Sequence, residues 1–275
     1  MNKQFETYID NYFDSFADNK IKEAMIYSMD GGKRFRPRII FSILKGMGIN
    51  EERGYAAALA LELIQTYSLI HDDLPAMDND DLRRGKPTSH KAFGEDIAIL
   101  TGDALLTHSF GAVADSEYDA QTKVNIISTL SRYAGMDGMI LGQLYDVTTV
   151  PTEVDKERLF EIQDNKTAGL FKIACLIPMY IRGENNFNFY ETLGTKLGVI
   201  FQNQDDLFDV IKSEEEMGKS LSDLINKKPC ALNIYSVDEL KQLIDDEFKD
   251  LEDFLKDATF DTTYFMDIMN ALRNR

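Results

Sequence analysis

The stretch from Ala56 to Ile70, Ala-Ala-Ala-Leu-Ala-Leu-Glu-Leu-Ile-Gln-Thr-Tyr-Ser-Leu-Ile, is apolar almost all round at helical spacing. A helix with that pattern has no solvent face to spare, so it belongs inside a larger set of helices. It runs directly into His71-Asp72-Asp73-Leu74-Pro75-Ala76-Met77-Asp78. Carboxylates attached to a buried helix must be paired, hydrogen-bonded or neutralised by a cation, because an isolated charge in an apolar interior is costly. A second cluster of the same kind, Asp205-Asp206-Leu207-Phe208-Asp209, lies far down the chain among Leu197, Val199, Ile200, Phe201, Val210 and Ile211.

The 275-residue sequence as a whole is rich in Ala, Leu, Glu, Lys and Met, which are good helix formers, and holds only six prolines. This composition predicts an all-α protein. No Gly/Ser/Pro-rich linker, low-complexity run or fixed-period repeat divides it, so residues 1–275 read as one domain. The formal charge of −17, from 47 acids and 30 bases, excludes nucleic acid as an expected partner, because a polyanion would be repelled over any broad surface. The opening Met-Asn-Lys-Gln-Phe-Glu lacks the basic and apolar regions of a secretory signal, and the most apolar stretch, Ile173 to Ile181, is too short to span a bilayer. The expectation is a cytoplasmic protein without stable membrane insertion. Cys175 and Cys230 lie in apolar company and read as structural.

Six acids gathered at one place would repel one another and resist ionisation unless divalent cations neutralised them, and hard oxygen donors suit Mg²⁺. In the first cluster Asp72 and Asp78 would lie about 120° apart on a straight helix, so sharing a metal demands a perturbed backbone. Pro75 supplies the perturbation. His71 reads as a hydrogen-bonded core residue, because imidazole does not suit Mg²⁺. Beyond it, Asp80-Asp81-Leu82-Arg83-Arg84-Gly85-Lys86-Pro87 sets adjacent arginines beside acids, with Gly and Pro expected to end the helix. In the second cluster Asp205 and Asp209 are spaced i to i+4 and share a helix face. Mg²⁺ usually brings phosphate, and isolated cations are available for it: Lys33 and Arg36 in Gly31-Gly32-Lys33-Arg34-Phe35-Arg36-Pro37, Lys166 in Asn165-Lys166-Thr167-Ala168-Gly169, and Lys219 after Met217-Gly218.

In order along the chain, these blocks, together with Gly102-Asp103-Ala104-Leu105 and Gly142-Gln143-Leu144-Tyr145-Asp146, resemble the trans-type polyprenyl diphosphate synthases, most closely the bacterial farnesyl diphosphate synthases. The resemblance implies an all-α homodimer, a single-domain helical bundle around a deep central cavity, and three Mg²⁺ ions. It implies head-to-tail condensation of isopentenyl diphosphate with an allylic diphosphate, dimethylallyl or geranyl, to give mainly farnesyl diphosphate. Geranyl or geranylgeranyl diphosphate is the alternative product.

Carried over by position, Asp72, Asp78 and Asp205 are implied as principal Mg²⁺ ligands, with Asp73, Asp206 and Asp209 in the immediate surroundings. Arg83, Lys166 and Lys219 resemble the cations that grip the allylic diphosphate. Lys33, Arg36 and Arg84 resemble the metal-free pocket for isopentenyl diphosphate, with Gln65 at a similar helical depth. Thr167 and Gln202 are implied to face the reacting carbons. Tyr67 lies roughly 7.5 Å deeper along its helix than Asp72, and a tyrosine there, with Pro75-Ala76 inserted in the motif, resembles the fifteen-carbon-product enzymes.

The chain departs from the family after Lys219. Where a Lys-Ser-Thr-Tyr-Pro-like block is usual, it has Asn226-Lys227-Lys228-Pro229-Cys230, which leaves Lys227 and Lys228 as rival counterparts. A terpene cyclase would replace the second aspartate cluster with an Asn/Ser/Glu set, and a non-catalytic subunit of a heteromeric synthase would have lost one cluster. A metal-storage bundle would carry Glu-x-x-His pairs. None of these patterns is present.

Overall fold

The computed structural model describes residues 2–217 and 228–274. Among them the chain is helical apart from one two-stranded hairpin, as the composition predicts. The chain forms two compact units, Met1–Ile127 and Ser128–Arg275.

In the first unit α1 (Lys3–Asp14) lays Phe5, Ile9 and Phe13 along one buried stripe, and Asn2 caps it by accepting from the Gln4 and Phe5 amides. With α2 (Lys20–Met29) and α3 (Phe35–Gly46) it packs on α4 (Tyr55–Asp72). The α4 residues Ala57 to Leu61, with Leu63 and Ile64, are completely buried. Each such Leu or Ile contributes about 1.5–3 kcal/mol by leaving water, which is why an all-round apolar helix ends up at the centre of its unit.

After α4 the chain does not continue as a helix to the Gly-Pro signal. It coils back, then forms β1 (Leu82–Arg83) and β2 (Lys86–Pro87), paired antiparallel with Arg83 opposite Lys86. The two turn residues, Arg84 and Gly85, have φ of 54° and 75°, the positive values that match the right-handed twist of a hairpin. The sequence reading missed this hairpin because a two-residue strand carries no periodicity.

The first unit continues with α5 (Ser89–Phe93) and α6 (Glu95–Ala114). α6 lies along α4, and Gly102 is what lets it approach: a Cβ there would sit 2.1 Å from His71 Nε2. Among the described helices α6 is the one long and apolar enough to cross a bilayer by length and composition. That length exceeds the Ile173–Ile181 run because single polar residues interrupt its apolar ones.

α7 (Ala120–Ala134) contains the boundary between the units. The second unit continues with α8 (Met139–Thr148), α9 (Lys156–Ile162), a π-helical turn at Gln163–Thr167, α10 (Ala168–Arg182) and the long α11 (Phe187–Met217). α10 is buried along almost its whole length. It packs against α11 at two glycines, where a Cβ would lie 2.4 Å from the Lys172 backbone at Gly194 and 2.3 Å from the Ala168 backbone at Gly198. Beyond the undescribed segment, α12 (Val237–Phe254) buries Leu240, Ile244, Phe248 and Leu251 on one stripe and starts with a Ser236/Glu239 capping box. α13 (Thr263–Arg273) follows.

Candidate active site

The acid-rich turn of the first unit begins where α4 stops. Asp73 closes the helix with its amide on the Leu69 carbonyl, and the chain then folds back so that the Asp78 amide donates to the Asp72 carbonyl at 2.8 Å. The backbone departure expected from Pro75 is therefore real, and it returns Asp78 to the end of α4. Asp72 and Asp78 are both half-buried, whereas Asp73 is 3% exposed. Burial pushes the Asp73 carboxyl up, opposed by the Arg83 guanidinium, whose Nε donates to it at 3.0 Å. Arg83 also reaches Asp80 at 3.3 Å.

On the far side of the hairpin turn, Arg84 Nη1 donates to the carbonyls of Ser28 and Asp30 at 3.3 and 3.1 Å, and Lys86 pairs with the Asp30 carboxylate. These contacts hold the loop that leads into Lys33. The loop is tight: a Cβ on Gly32 would meet Arg34 Nη1 at 2.5 Å and Arg84 Nη1 at 3.3 Å. Arg34 takes a left-handed conformation, φ 49°, and is buried with Glu6 and Glu62 as partners at 3.0 Å each. Lys33 is exposed on this loop and Arg36 is half-buried in the first turn of α3. The structure thus brings Arg84 to the glycine turn that carries Lys33. A small cavity of about 30 Å³ remains beside Asp73, Arg83, Arg84 and Lys86, room for about one water.

Three other expected residues lie on α4. Gln65 is half-buried with its Oε1 unpartnered among the described residues. Tyr67 is 5% exposed, and its hydroxyl likewise has no partner among them. Burial, with Asp72 adding repulsion, pushes the Tyr67 phenol up to about 12. Its ring meets His71 edge-on at 5.8 Å. His71 is hydrogen-bonded as expected, Nε2 donating to the Ile99 carbonyl at 3.2 Å, but it is half-buried where the sequence suggested the core.

The second unit contains a cavity of about 400 Å³, within the usual range for a small-molecule site. Lys166, Thr167, Gln202, Asp206, Asp209 and Lys228 line it. Lys166 and Thr167 belong to the π-helical turn, a local widening of the helix common at functional sites. Gly142 on α8 makes room for that turn, since a Cβ there would meet the Lys166 amide nitrogen at 2.1 Å. Lys166 is ion-paired with buried Asp146 on α8. Thr167 Oγ1 donates to Gln202 Oε1 at 2.6 Å, Gln202 Nε2 donates to Asp206 at 2.8 Å, and the Ala231 amide donates to Asp206 at 2.7 Å.

Burial, helped slightly by repulsion from Asp209 and Asp205, lifts the Asp206 carboxyl to about 7 against the hydrogen bonds from the Ala231 amide and Gln202. Asp205 and Asp209 ride on the same face of α11, as their spacing predicts. Lys219 and Lys227 lie outside the described residues; Lys228 reaches the cavity. Sequence reasoning gave no role to Asp146, Gln163 or Cys230, which also line it. No local pattern marks Asp146 and Gln163, whose partners Lys166 and Asn203 are 20 and 40 positions away. Burial pushes the Cys230 thiol up to about 11, so it is a protonated wall residue and no nucleophile. Cys175 is completely buried.

The sequence profile of the family described as polyprenyl synthetase matches residues 18–263. A farnesyl diphosphate synthase of Micrococcus luteus is 40% identical over 244 residues, 87% of this chain and 84% of that protein. Among solved structures, a geranyltransferase from Legionella pneumophila superposes with a TM-score of 0.85 at 30% identity, covering 99% of this chain and 94% of that one. A geranyltransferase from Helicobacter pylori, solved in complex with magnesium and isoprenyl diphosphate, gives 0.82 at 30% identity over 99% and 95% of the two chains. With most of its length matched in sequence and its all-helical architecture matched in space, the chain belongs to the polyprenyl synthetase family.

Proposed function

We propose that the protein is a prenyltransferase of the farnesyl diphosphate synthase type, which joins isopentenyl diphosphate head-to-tail to dimethylallyl or geranyl diphosphate and releases mainly farnesyl diphosphate. The observation that carries the reading is the hydrogen-bonded chain Thr167–Gln202–Asp206 on the wall of a ligand-sized cavity, with Lys166 beside it. One family profile running through both units supports treating residues 1–275 as a single synthase domain. Family kinship supports a homodimer, and the charge of −17 fits a cytoplasmic enzyme that binds no nucleic acid.

Mg²⁺ fits the residues present. Among the described residues no group of three or more Asp, Glu, His or Cys side chains is placed to hold a metal ion by itself. Mg²⁺ keeps several waters and takes one or two carboxylates plus substrate phosphates, so its site would be completed by the diphosphate. The donors offered are hard oxygens only, and burial, with a smaller contribution from the like charges of Asp209 and Asp205, raises the Asp206 carboxyl, which a divalent cation would relieve. Asp72 and Asp78, with Asp73 beside them in the sequence, and Asp205, with Asp206 and Asp209, would hold Mg²⁺, three ions in all; the complex of the Helicobacter pylori relative with magnesium supports the choice of metal. When bound, Mg²⁺ supplies Lewis-acid stabilisation of the departing diphosphate.

The chain's own groups do the rest. Arg83, Lys166 and Lys219 grip the allylic diphosphate, and Lys33, Arg36, Arg84 and Gln65 receive isopentenyl diphosphate. Positioned cations stabilise the charge that builds on the leaving group as the allylic C–O bond breaks. Asp146 keeps the Lys166 ammonium in place. The Thr167 and Gln202 oxygens face the developing allylic cation, and the apolar walls, Leu159, Ile162 and Val210, exclude water that would trap it. The isopentenyl double bond then attacks, and a proton leaves to the released diphosphate. Tyr67 limits tail length.

The test is incubation with Mg²⁺, labelled isopentenyl diphosphate and dimethylallyl, geranyl or farnesyl diphosphate, followed by chain-length analysis. Farnesyl diphosphate is expected from the two shorter primers; no labelled prenyl product with any primer would overturn the reading.

A further inference from the structure

One wall residue of the second-unit cavity remains without a role. Gln163 opens the π-helical turn, is 4% exposed and lines the same cavity as Lys166, Thr167 and Gln202. Its carboxamide is oriented by a relay of hydrogen bonds that begins at Glu247. The Glu247 carboxylate on α12 accepts from Asn203 Nδ2 at 3.1 Å to each oxygen. Asn203, 2% exposed on α11, must therefore present its own oxygen to the other side, where Gln163 Nε2 donates to it at 2.8 Å. An acceptor on α12 thus fixes one amide, and that amide fixes the next. The Gln163 nitrogen is committed to Asn203, so the carbonyl Oε1 is the end left for the cavity.

The same turn is pinned elsewhere. Asp164 accepts from Lys172 at 2.6 Å and from Thr195 at 3.1 Å, and Asn165 donates to the Glu161 carbonyl at 2.8 Å. With Lys166 on Asp146 and Thr167 on Gln202, every side chain from Gln163 to Thr167 has a hydrogen-bonding partner. A dipole fixed before the substrate arrives needs no reorganisation during the reaction, which is the condition for electrostatic catalysis.

We propose that Gln163 is a further catalytic residue, its Oε1 dipole facing the allylic carbon as it becomes cationic, and that Asn203 and Glu247 are positioning residues that hold this orientation. The proposal rests on the prenyltransferase reading above. In the step concerned the allylic C–O bond breaks with its electron pair going to the diphosphate. Oε1 forms no covalent bond and offers only negative dipole density to the electron-poor carbon. Because it faces carbon and not phosphate, its loss should slow ionisation without loosening either diphosphate.

The experiment compares wild-type protein, Gln163→Met and Asn203→Leu under single-turnover and steady-state conditions with geranyl and isopentenyl diphosphates and Mg²⁺. Gln163→Met keeps side-chain length and removes the dipole; Asn203→Leu keeps Gln163 but frees its amide to rotate. Thermal melting confirms that both variants are folded. The single-turnover rate constant is expected to fall roughly tenfold in Gln163→Met, equivalent to about 1.4 kcal/mol of lost transition-state stabilisation, and to fall in Asn203→Leu as well, with both KM values within twofold of wild type. A folded Gln163→Met variant with the wild-type single-turnover rate would overturn the proposal, as would a loss expressed only in KM. Absence of product from the wild-type protein would instead overturn the functional reading itself, so the two failures are distinguishable.

Discussion

Thr167 and Gln202 stand thirty-five positions apart in the chain and share a 2.6 Å hydrogen bond, Oγ1 to Oε1, that joins the π-helical turn to α11. Gln202 passes the connection on to Asp206. Replacing either partner should weaken catalysis more than binding. Thr167→Val and Gln202→Leu are each expected to lower kcat about a hundredfold to a thousandfold, in the range seen when one preorganised polar group is removed from a site. Steady-state kinetics with both substrates check this, and a change confined to KM contradicts it.

Lys166 depends on Asp146 for its position. Lys166→Met should raise KM for the allylic diphosphate and lower kcat, because a charge-assisted grip on the leaving group is lost. Asp146→Asn should do the same more weakly. KM for isopentenyl diphosphate, which this reading assigns to Lys33, Arg36 and Arg84, should move little in either variant. Equal losses for both substrates would reject the division of labour.

Asp72→Ala and Asp205→Ala should each reduce product formation by about a hundredfold or more, and excess chelator should do the same to the wild-type protein until Mg²⁺ is restored. Turnover near the wild-type level in either variant removes that residue from the metal assignment.

Tyr67 predicts two separable effects. Tyr67→Ala is expected to shift the product distribution toward longer prenyl chains, and, as a large-to-small change at a buried ring, to cost about 3–5 kcal/mol of stability. Tyr67→Phe deletes a buried hydroxyl that lacks a partner among the described residues, so it should leave Tm unchanged or raise it. Chain-length analysis and thermal melting test the two independently; an unchanged product profile in Tyr67→Ala takes Tyr67 out of the specificity account.

Glu247 gives stability a pH dependence of definite sign. Burial lifts its carboxyl to about 7 from an ordinary 4.5. The folded protein therefore holds a proton that the unfolded chain has lost between those values. The stabilising contribution is complete below about 4.5 and disappears as pH rises through about 7. Glu247→Gln cannot titrate, so Tm measured from acid to neutral pH should fall less steeply in the variant than in the wild-type protein. Parallel profiles would contradict the assignment.

The helical architecture was legible in the sequence because it rests on local patterns. The apolar run Ala56–Ile70 required a buried helix and became α4. The i to i+4 spacing of Asp205 and Asp209 placed both on one face of α11, and Pro75 announced the break that returns Asp78 to Asp72. The blocks around Lys33, Asp72, Lys166 and Gln202 identified the family. What the sequence could not express was the hairpin at Leu82–Pro87, too short for any period, and the π-helical turn at Gln163–Thr167, whose residues look like ordinary helix. The same holds for Arg83 on Asp73, Lys166 on Asp146, and the relay from Glu247 through Asn203 to Gln163. Periodicity records which face of an element is buried. Which polar side chain meets which across that face depends on the approach of separate elements, set here by glycines such as Gly102, Gly142 and Gly198, and only the packed chain decides that.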